Sequence, residues 1–322
     1  MQASTETLQV RVRSVTYEAQ GIHSLELVPA NGRPLPSFTA GAHVDLQLSN
    51  GLIRSYSLVN SQDETHRYVI AVARDAASRG GSRYVHETLR TGDTLHITPP
   101  RNNFPLAEDA KHSVLIAGGI GITPLWSMIQ RLQSLGRSWR LYYATRTRQS
   151  AAYLEQLNAL ASHVKLNLHV NFDQEPGGKM LDIAALVAAE PPDTHLYCCG
   201  PLPMLEAFER AAAGRASPFV HVEYFTAREA PAAAGGFTVV LAKSGKTIAV
   251  PPGKTILDAV LDAGINASYS CMEGVCASCE TRVLEGIPDH RDLVLSKDEQ
   301  AANKTMMICC SGSKTEKLVL DL

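Results

Sequence analysis

The sequence predicts an α/β plus β protein in three parts: an antiparallel β-barrel, a parallel α/β domain and a small β-rich domain. Three observations along the 322-residue chain predict it. Short apolar segments separated by Gly, Pro and Asn fill the first hundred residues, strand and helix patterns then alternate, and a cysteine cluster marks the last segment. The length suits two or three domains. We expect domains at 1–106, 107–228 and 237–322, with the segment EAPAAAGG at 229–236 as a linker.

The first segment, from residue 8 to about 101, has the pattern of a barrel. Several short strands with turn residues between them favour an antiparallel barrel, and one helix is expected at 82–89. The segments that alternate or run apolar, as strands do, are 8–13, 23–27, 43–48, 68–72 and 94–97.

The middle segment alternates strand and helix patterns, which predicts a parallel sheet covered on both faces. The expected strands are 113–117, 140–145, 164–172, 195–199 and 219–225. The expected helices are 124–135, 151–161, 181–189 and 202–213. The last segment then predicts a hairpin over 237–250, a helix over 255–263 and terminal strands at 306–309 and 318–322.

Cysteines dominate the last segment. Cys271, Cys276 and Cys279 have the spacing C-x4-C-x2-C, and a fourth thiol follows at Cys309 or Cys310. This is the plant-type ligand spacing for a [2Fe–2S] cluster, whose two irons need four thiolates. A zinc site and buried free thiols are the alternatives. Zinc favours paired CxxC knuckles, and a second knuckle is absent from the sequence.

A glycine-rich turn follows the first strand of the middle segment. Residues 118–124, GGIGITP, lead into a helix that Thr123 is expected to cap, with Pro124 in its first turn. Free amides at a helix N-terminus suit a pyrophosphate, although such turns also serve purely structural ends. The spacing is not that of the G-x-G-x-x-G fingerprint. A second element, YCCGP at 197–201, ends a later strand, where open α/β sheets bind ligands.

The first segment also contains a candidate ligand-binding strand, RSYS at 54–57. Arg is a forked phosphate donor, and Tyr offers a flat face for a ring. Arg54 and Tyr56 share one strand face. The turn RGGS at 79–82 precedes a helix and makes a second candidate anion site. A surface Arg and a core Tyr explain the same residues equally well.

Composition excludes several classes of protein. The formal net charge is −2, so there is no basic footprint for nucleic acid. No apolar run reaches the length of a membrane span, and the N-terminus lacks the regions of a signal peptide. Seven cysteines, most of them in one segment, indicate metal binding in a reducing compartment. We expect a cytoplasmic monomer that binds neither nucleic acid nor membrane.

Together these motifs resemble the phthalate dioxygenase reductase family, with the vanillate demethylase reductases as near relatives, over nearly the whole chain. RSYS resembles the flavin motif R-x-Y-S, RGGS the FMN phosphate turn, GGIGITP the pyridine nucleotide loop and YCCGP the nicotinamide side. HVEYF at 221–225 resembles the segment whose Phe lies by the flavin. The departures are Ala277, where a Gly is frequent, and Thr147, where an acidic residue often follows the Arg.

The resemblance implies an FMN-binding barrel at 1–106, an NAD(P)H-binding domain at 107–228 and a plant-type [2Fe–2S] ferredoxin domain with a β-grasp fold at 237–322. It favours Cys309 over Cys310, so the iron ligands would be Cys271, Cys276, Cys279 and Cys309. Cys310 would then point to the opposite face of the extended terminal strand, since neighbours on a strand face opposite ways. Cys199 and Phe225 would border the nicotinamide–flavin contact. The implied cofactor-binding residues are Arg54, Ser55, Tyr56, Ser57, Ala71, Val72, Ala73, Gly80, Gly81, Ser82, Gly118, Gly119, Gly121, Ile122, Thr123, Arg146, Cys199, Gly200, Pro201 and Phe225.

The function that the resemblance implies is an NADH-dependent reductase component of a two-component Rieske-type oxygenase, with transient contact between the two proteins. NADPH is the alternative nucleotide, because Arg146 and Arg148 follow the strand at which the ribose is normally recognised. Alternative functions are an electron donor to a cytochrome P450 and a non-enzymatic redox-sensing module. Met272 and Val275 in the cysteine loop are candidate contacts with the partner, or they pack against their own domain.

Overall fold

The computed structural model describes residues 7–76, 78–161 and 167–322. The chain divides into two compact units, Met1–Glu223 and Tyr224–Leu322. Within these residues the first unit contains a six-stranded and a five-stranded sheet, and the second contains a five-stranded and a two-stranded sheet with the cysteine loop. None of the helices in these described ranges is long and apolar enough to cross a membrane.

The first sheet is an antiparallel barrel. Its strand order is β4-β3-β6-β1-β2-β5, and a bridge between Leu58 and Ile70 joins the two ends of the sheet. Val12, Leu25 and Val44 are among the fully buried residues that fill it. One helix, α1 (Gly81–Glu87), lies between the last two strands. The strands are β1 (Leu8–Ala19), β2 (Ile22–Pro29), β3 (His43–Gln47), β4 (Ile53–Ser57), β5 (Tyr68–Ala73) and β6 (Thr94–Ile97).

The second sheet is parallel throughout, with strand order β11-β10-β7-β8-β9. The order reverses between β7 and β10, so the carboxyl ends of these two strands form the switch point at which open α/β sheets bind ligands. The strands are β7 (His112–Gly118), β8 (Ser138–Thr145), β9 (Leu168–Phe172), β10 (His195–Cys199) and β11 (Val220–Glu223). The helices are α2 (Ile122–Ser134), α3 (Leu154–Ala161), α4 (Ile183–Ala189) and α5 (Leu202–Ala212).

The second unit has the β-grasp arrangement. A parallel pair, β12 and β18, lies at the centre of the sheet β13-β12-β18-β14-β16, and its other pairings are antiparallel. Thr255 caps the helix α6 by accepting a hydrogen bond from the amide of Asp258. The elements are β12 (Phe237–Leu241), β13 (Lys246–Val250), α6 (Ile256–Asp262), β14 (Glu280–Glu285), β15 (Pro288–Asp289), α7 (Lys297–Ala302), β16 (Thr305–Met307), β17 (Gly312–Ser313) and β18 (Lys317–Leu320).

The predicted fold class is confirmed, and several element bounds differ from the predictions. The strand expected at 164–172 begins at Leu168, and residues 164–166 lie outside the described ranges. The strand expected at 219–225 covers Val220–Glu223. β14 and α7 were not predicted from the sequence. Both are short and their hydrophobic periodicity is weak, so tertiary packing selects their conformation.

The strand expected at 306–309 ends at Met307. The amides of Cys310 and Ser311 both donate to the Met307 carbonyl, so Cys309 and Cys310 lie in a tight turn. The expectation that Cys310 points to the opposite face of an extended strand is therefore wrong. The turn, and not strand alternation, decides where the two thiols point.

Candidate cofactor sites

The predicted flavin strand, β4, lies beside the start of α1. A Cβ on Gly81 would lie 2.7 Å from both Cγ and Nε of Arg54, so the arginine side chain fits only because residue 81 is glycine. Tyr56 is half-buried on the same strand, and burial, opposed by the charge of Arg54, raises the pKa of Tyr56 to about 12. The structure therefore brings together the predicted phosphate ligands, Arg54 and the 80–82 turn, with a protonated aromatic phenol.

The serines of β4 differ in what they bind. The Ser55 hydroxyl donates to Asp45 Oδ1 at 2.6 Å, and Asp45 is also paired with Arg101 at 2.5 Å. Ser55 is thus occupied within the protein. The Ser57 hydroxyl is buried and has no hydrogen-bond partner among the described residues. Buried hydroxyls are rarely left without a partner, so a bound ligand fits this position.

The other residues predicted for the flavin lie nearby in the fold. β5 carries Ala71, Val72 and Ala73, and Ile70 of the same strand bridges Leu58, the residue after Ser57. The Ser82 hydroxyl donates to Ser78 Oγ at 2.9 Å, which holds the turn before α1 in place. The Gly80 amide also donates to Ser78 Oγ, at 3.2 Å, so this amide and the Ser82 hydroxyl are both occupied within the protein.

The two glycine-containing loops at the switch point pack directly on each other. A Cβ on Gly121 would lie 2.1 Å from the Cys199 carbonyl oxygen, and one on Gly118 would lie 2.5 Å from Cδ of Pro201. Larger residues would force the loops apart, so the closeness of the backbones explains the glycines. The turn Gly119–Gly121 leads straight into α2, whose positive N-terminal end suits a pyrophosphate.

The predicted cap of α2 is wrong. The helix begins at Ile122 with Gly121 as its N-cap, two residues earlier than expected. Thr123 lies inside the first turn, and its hydroxyl donates to the carbonyl of Ile120 at 2.9 Å. Because the chain turns within the glycines, no side chain caps this end.

Cys199 is fully buried at the end of β10, opposite Glu223 on β11. The Cys199 thiol is 4.0 Å from Glu223 Oε2, and burial raises the pKa of Glu223 to about 8. Burial, together with Glu223, also raises the pKa of the Cys199 thiol well above its ordinary value. At neutral pH the pair is therefore uncharged. Glu223 was not singled out from the sequence, although an acidic residue within the apolar strand segment 220–225 was an available signal.

Phe225 lies two residues beyond β11, at the start of the second unit, and is 38% exposed. Its predicted place beside the flavin stays a prediction. Cys198, the neighbour of Cys199, is a fully buried residue of the sheet.

Acidic and basic side chains both follow the carboxyl ends of β8 and β9, where the ribose is expected. Arg146 is exposed after β8, and the Arg148 guanidinium stacks on the Phe172 ring at 4.8 Å. The Arg148 amide donates to Glu175 at 2.6 Å. Asp173 directly follows β9, and its Oδ1 is buried with no hydrogen-bond partner in the described part of the chain. Asp173 was not singled out from the sequence, although an acidic residue directly after a predicted strand was an available signal.

The cysteine loop brings three of the four predicted iron ligands into contact. The Cys271 thiol lies within hydrogen-bonding reach of the thiols of Cys276 and Cys309. Cys279, at the end of the loop, packs in the same buried cluster as Cys309. Cys310 instead lies under the loop, where its thiol faces the position that a Cβ on Gly274 would occupy, 2.4 Å away.

The donors fit a cluster better than a single ion. Among residues 7–76, 78–161 and 167–322, no three His, Cys, Asp or Glu side chains are arranged to hold one metal ion. A [2Fe–2S] cluster makes a different demand, because its four thiolates are distributed over two irons. Four buried or half-buried thiols in plant-type spacing meet that demand.

Two family models match the chain. The 2Fe-2S iron-sulfur cluster binding domain matches residues 239–313, and the oxidoreductase NAD-binding domain matches residues 115–210. The chain is 52% identical to phenoxybenzoate dioxygenase subunit beta from Ectopseudomonas oleovorans, over 99% of each protein. It is also 52% identical to tetrachlorobenzoquinone reductase from Sphingobium chlorophenolicum, over 98% of each.

A solved structure matches the whole fold. Phthalate dioxygenase reductase, described as a modular structure for electron transfer from pyridine nucleotides to [2Fe–2S], is similar with a TM-score of 0.74 and 38% identity over 98% of each chain. Its arrangement agrees with the barrel, parallel sheet and cysteine-loop unit described above. The chain therefore belongs to the phthalate dioxygenase reductase family of NAD(P)H-dependent, [2Fe–2S]-containing oxidoreductases.

Proposed function

We propose that this oxidoreductase passes electrons from NADH through FMN to its [2Fe–2S] cluster and on to a Rieske-type terminal oxygenase. The observation that carries the proposal is the combination, in one chain, of the glycine switch point and a four-cysteine loop. The similarity to a dioxygenase subunit over 99% of both proteins supports an oxygenase as the acceptor. An enzyme, and not a redox-sensing module, is thus the function supported.

Each site residue has a proposed part in this path. Arg54 and the 80–82 turn would hold the FMN phosphate, Tyr56 would pack on the ring, and the buried Ser57 hydroxyl would gain its missing hydrogen bond. FMN, when bound, accepts two electrons as hydride and releases them singly, which suits a cluster that takes one at a time. We assign these parts to proposed domains at 1–106 and 107–228, joined to 237–322 by the linker 229–236.

The nucleotide side has a matching set of proposed roles. The backbone of Gly118–Gly121 and the start of α2 would bind the pyrophosphate, and Asp173 would accept a hydrogen bond from a ribose hydroxyl. Cys199, Gly200 and Pro201 would line the nicotinamide side. The uncharged pair of Cys199 and Glu223 would keep formal charge away from a nicotinamide bound there.

Two measurements test the cofactors. The flavin released by heat should be FMN on chromatography, because no segment of the chain is evident for the adenosine half of FAD. The protein as purified should contain about two iron and two sulfide per chain. FAD in the released fraction, or a protein free of iron and sulfide, would contradict this part of the proposal.

The proposed partner gives electrons a downhill path. Rieske centres have potentials of about −150 mV or above, against about −400 mV for plant-type clusters. Stopped-flow mixing of the NADH-reduced protein with a Rieske oxygenase should show oxidation of the [2Fe–2S] cluster. Failure with the oxygenase and success with a cytochrome P450 would replace the partner. We infer that the oxygenase and this monomer bind each other transiently, because electron-transfer encounters are small. We also infer a cytoplasmic location, because all seven cysteines are free thiols.

A second candidate function is direct reduction of a quinone. It is favoured by the 52% identity to tetrachlorobenzoquinone reductase. NADH oxidation in the presence of a chlorinated benzoquinone, without any oxygenase, tests it. A rate that survives removal of the iron–sulfur cluster would assign the quinone to the flavin, since the cluster would then not be needed.

A further inference from the structure

A buried acidic residue lies behind the cysteine loop. Asp292 follows the short strand β15, and its side chain is completely shielded from solvent. A Cβ on Gly274, which stands between Cys271 and Cys276, would lie 3.1 Å from the Cα of Asp292. Asp292 therefore packs directly against the backbone of the loop that carries the predicted iron ligands.

The carboxylate also shapes the turn that ties this loop down. Asp292 Oδ2 accepts hydrogen bonds from the amides of Leu295 at 2.8 Å and Val294 at 3.3 Å. The turn so formed presents the Leu293 amide, which donates to the Gly274 carbonyl at 2.9 Å. One side chain thus organises the backbone that holds the middle of the cysteine loop.

The charge of Asp292 has little compensation in the described residues. His290 is its ion-pair partner, with Nδ1 3.5 Å from Oδ1, too far for a hydrogen bond. The neighbouring Arg291 is paired with Asp289 and Glu229 instead. A carboxylate with few countercharges is costly to bury, and its two amide hydrogen bonds offset part of that cost. The effect of Asp292 on the neighbouring cysteine loop offers a reason for its presence.

We propose that the buried negative charge of Asp292, beside the ligand loop that this residue holds, lowers the reduction potential of the [2Fe–2S] cluster. This inference rests on the cluster of the proposed electron path. Reduction adds one electron, delivered from NADH, so the net charge of the cluster becomes more negative. A fixed negative charge in a poorly screened interior disfavours that step, and net charge is one determinant of cluster potentials. A lower potential makes the protein a stronger donor to its acceptor.

Two substitutions separate charge from structure. Asp292→Asn removes the charge and keeps an oxygen that can accept from the amides of Val294 and Leu295. Asp292→Ala removes both. Asp298→Asn, at an exposed acid of α7 in the same unit, removes the same charge without burial and serves as the control.

The experiment is a redox titration of the cluster, followed by its electron paramagnetic resonance signal, after iron and sulfide are measured. We expect Asp292→Asn to keep iron and the wild-type spectrum but to shift the midpoint to a more positive value. Asp298→Asn should leave the midpoint unchanged, and Asp292→Ala should lose iron or alter the spectrum. An unmoved midpoint in Asp292→Asn, or an equal shift in the control, overturns the proposal.

A second variant covers the case in which Asp292→Asn does not retain the cluster. His290→Gln removes the neighbouring imidazole and leaves the carboxylate, so the midpoint should stay the same or become more negative. A more positive midpoint would overturn the proposal. Wild-type protein without iron and sulfide would instead refute the proposed electron path, which keeps the two failures apart.

Discussion

The preference for NADH over NADPH is predicted to depend on Asp173, and not on Arg146 and Arg148. Asp173 follows β9, and one of its carboxylate oxygens is buried without a hydrogen-bond partner among the described residues, which suits a ribose hydroxyl and would repel a 2′-phosphate. Arg148 is held by its stacking on Phe172, and Arg146 is exposed. Asp173→Asn removes the charge at nearly constant size, so it tests the carboxylate with little change in packing.

The expected magnitude follows from two terms. A hydrogen bond to a charged group contributes about 1.5–3 kcal/mol and a bond to a neutral group about 0.5–1.5 kcal/mol. Asp173→Asn should therefore weaken the interaction with NADH by roughly 1 kcal/mol or more. For NADPH, unit charges about 5 Å apart repel by about 1 kcal/mol in water and about 3 at an effective dielectric of 20, and Asn relieves that repulsion. With about 1 kcal/mol from each term, the NADPH/NADH ratio of kcat/KM should rise about 30-fold.

The assay is steady-state reduction of ferricyanide with each nucleotide, which reports the flavin step without the acceptor protein. Asp193→Asn is the control, since this exposed acid precedes β10 at the amino end of the sheet and its loss changes the net charge equally. An unchanged ratio in Asp173→Asn, together with reduced NADPH activity in Arg146→Ala, would refute the reasoning and assign selectivity to the arginines.

Four further outcomes are expected. Cys309→Ala should lose the visible absorbance of the cluster, because Cys309 contacts Cys271. Cys310→Ala should keep the absorbance, since Cys310 lies under the loop. The reverse result would exchange the roles of the two cysteines. Arg54→Ala should weaken FMN binding by about 1.5–3 kcal/mol in fluorescence titration, since a charge-assisted contact is lost. An unaltered affinity would remove Arg54 from the site. Met272→Glu, at a 40% exposed residue, should slow electron delivery to the oxygenase in stopped-flow but not NADH-to-flavin reduction; equal effects on both steps would exclude a docking role. Glu223 has a pKa of about 8 in the folded state, above its ordinary 4.5, so the folded state keeps a proton that the unfolded state loses. The free energy of unfolding should therefore fall as the pH rises from 4.5 to 8. Glu223→Gln should lessen that fall in thermal melts, and an identical pH profile would show that Glu223 is not the cause.

Features that depend on spacing and local pattern could be predicted from the residues alone. The intervals between Cys271, Cys276 and Cys279 predicted the ligand loop, because a cluster needs thiolates at set distances along a curled backbone. Alternating strand and helix patterns predicted a parallel sheet, and the glycine-rich turn at 118–124 predicted a helix N-terminus that suits a pyrophosphate. These inferences need only the spacing or periodicity of residues along the chain.

Tertiary structure alone decided which distant residues meet. Glu223 faces Cys199 only because β10 and β11 are adjacent, and Asp292 reaches Gly274 only because the turn after β15 folds back on the loop. The placement of Cys310 depended on the turn after Met307, since a strand would have sent its thiol elsewhere. Contacts of this kind depend on how the elements pack, and the periodicity of a single segment carries no information about that.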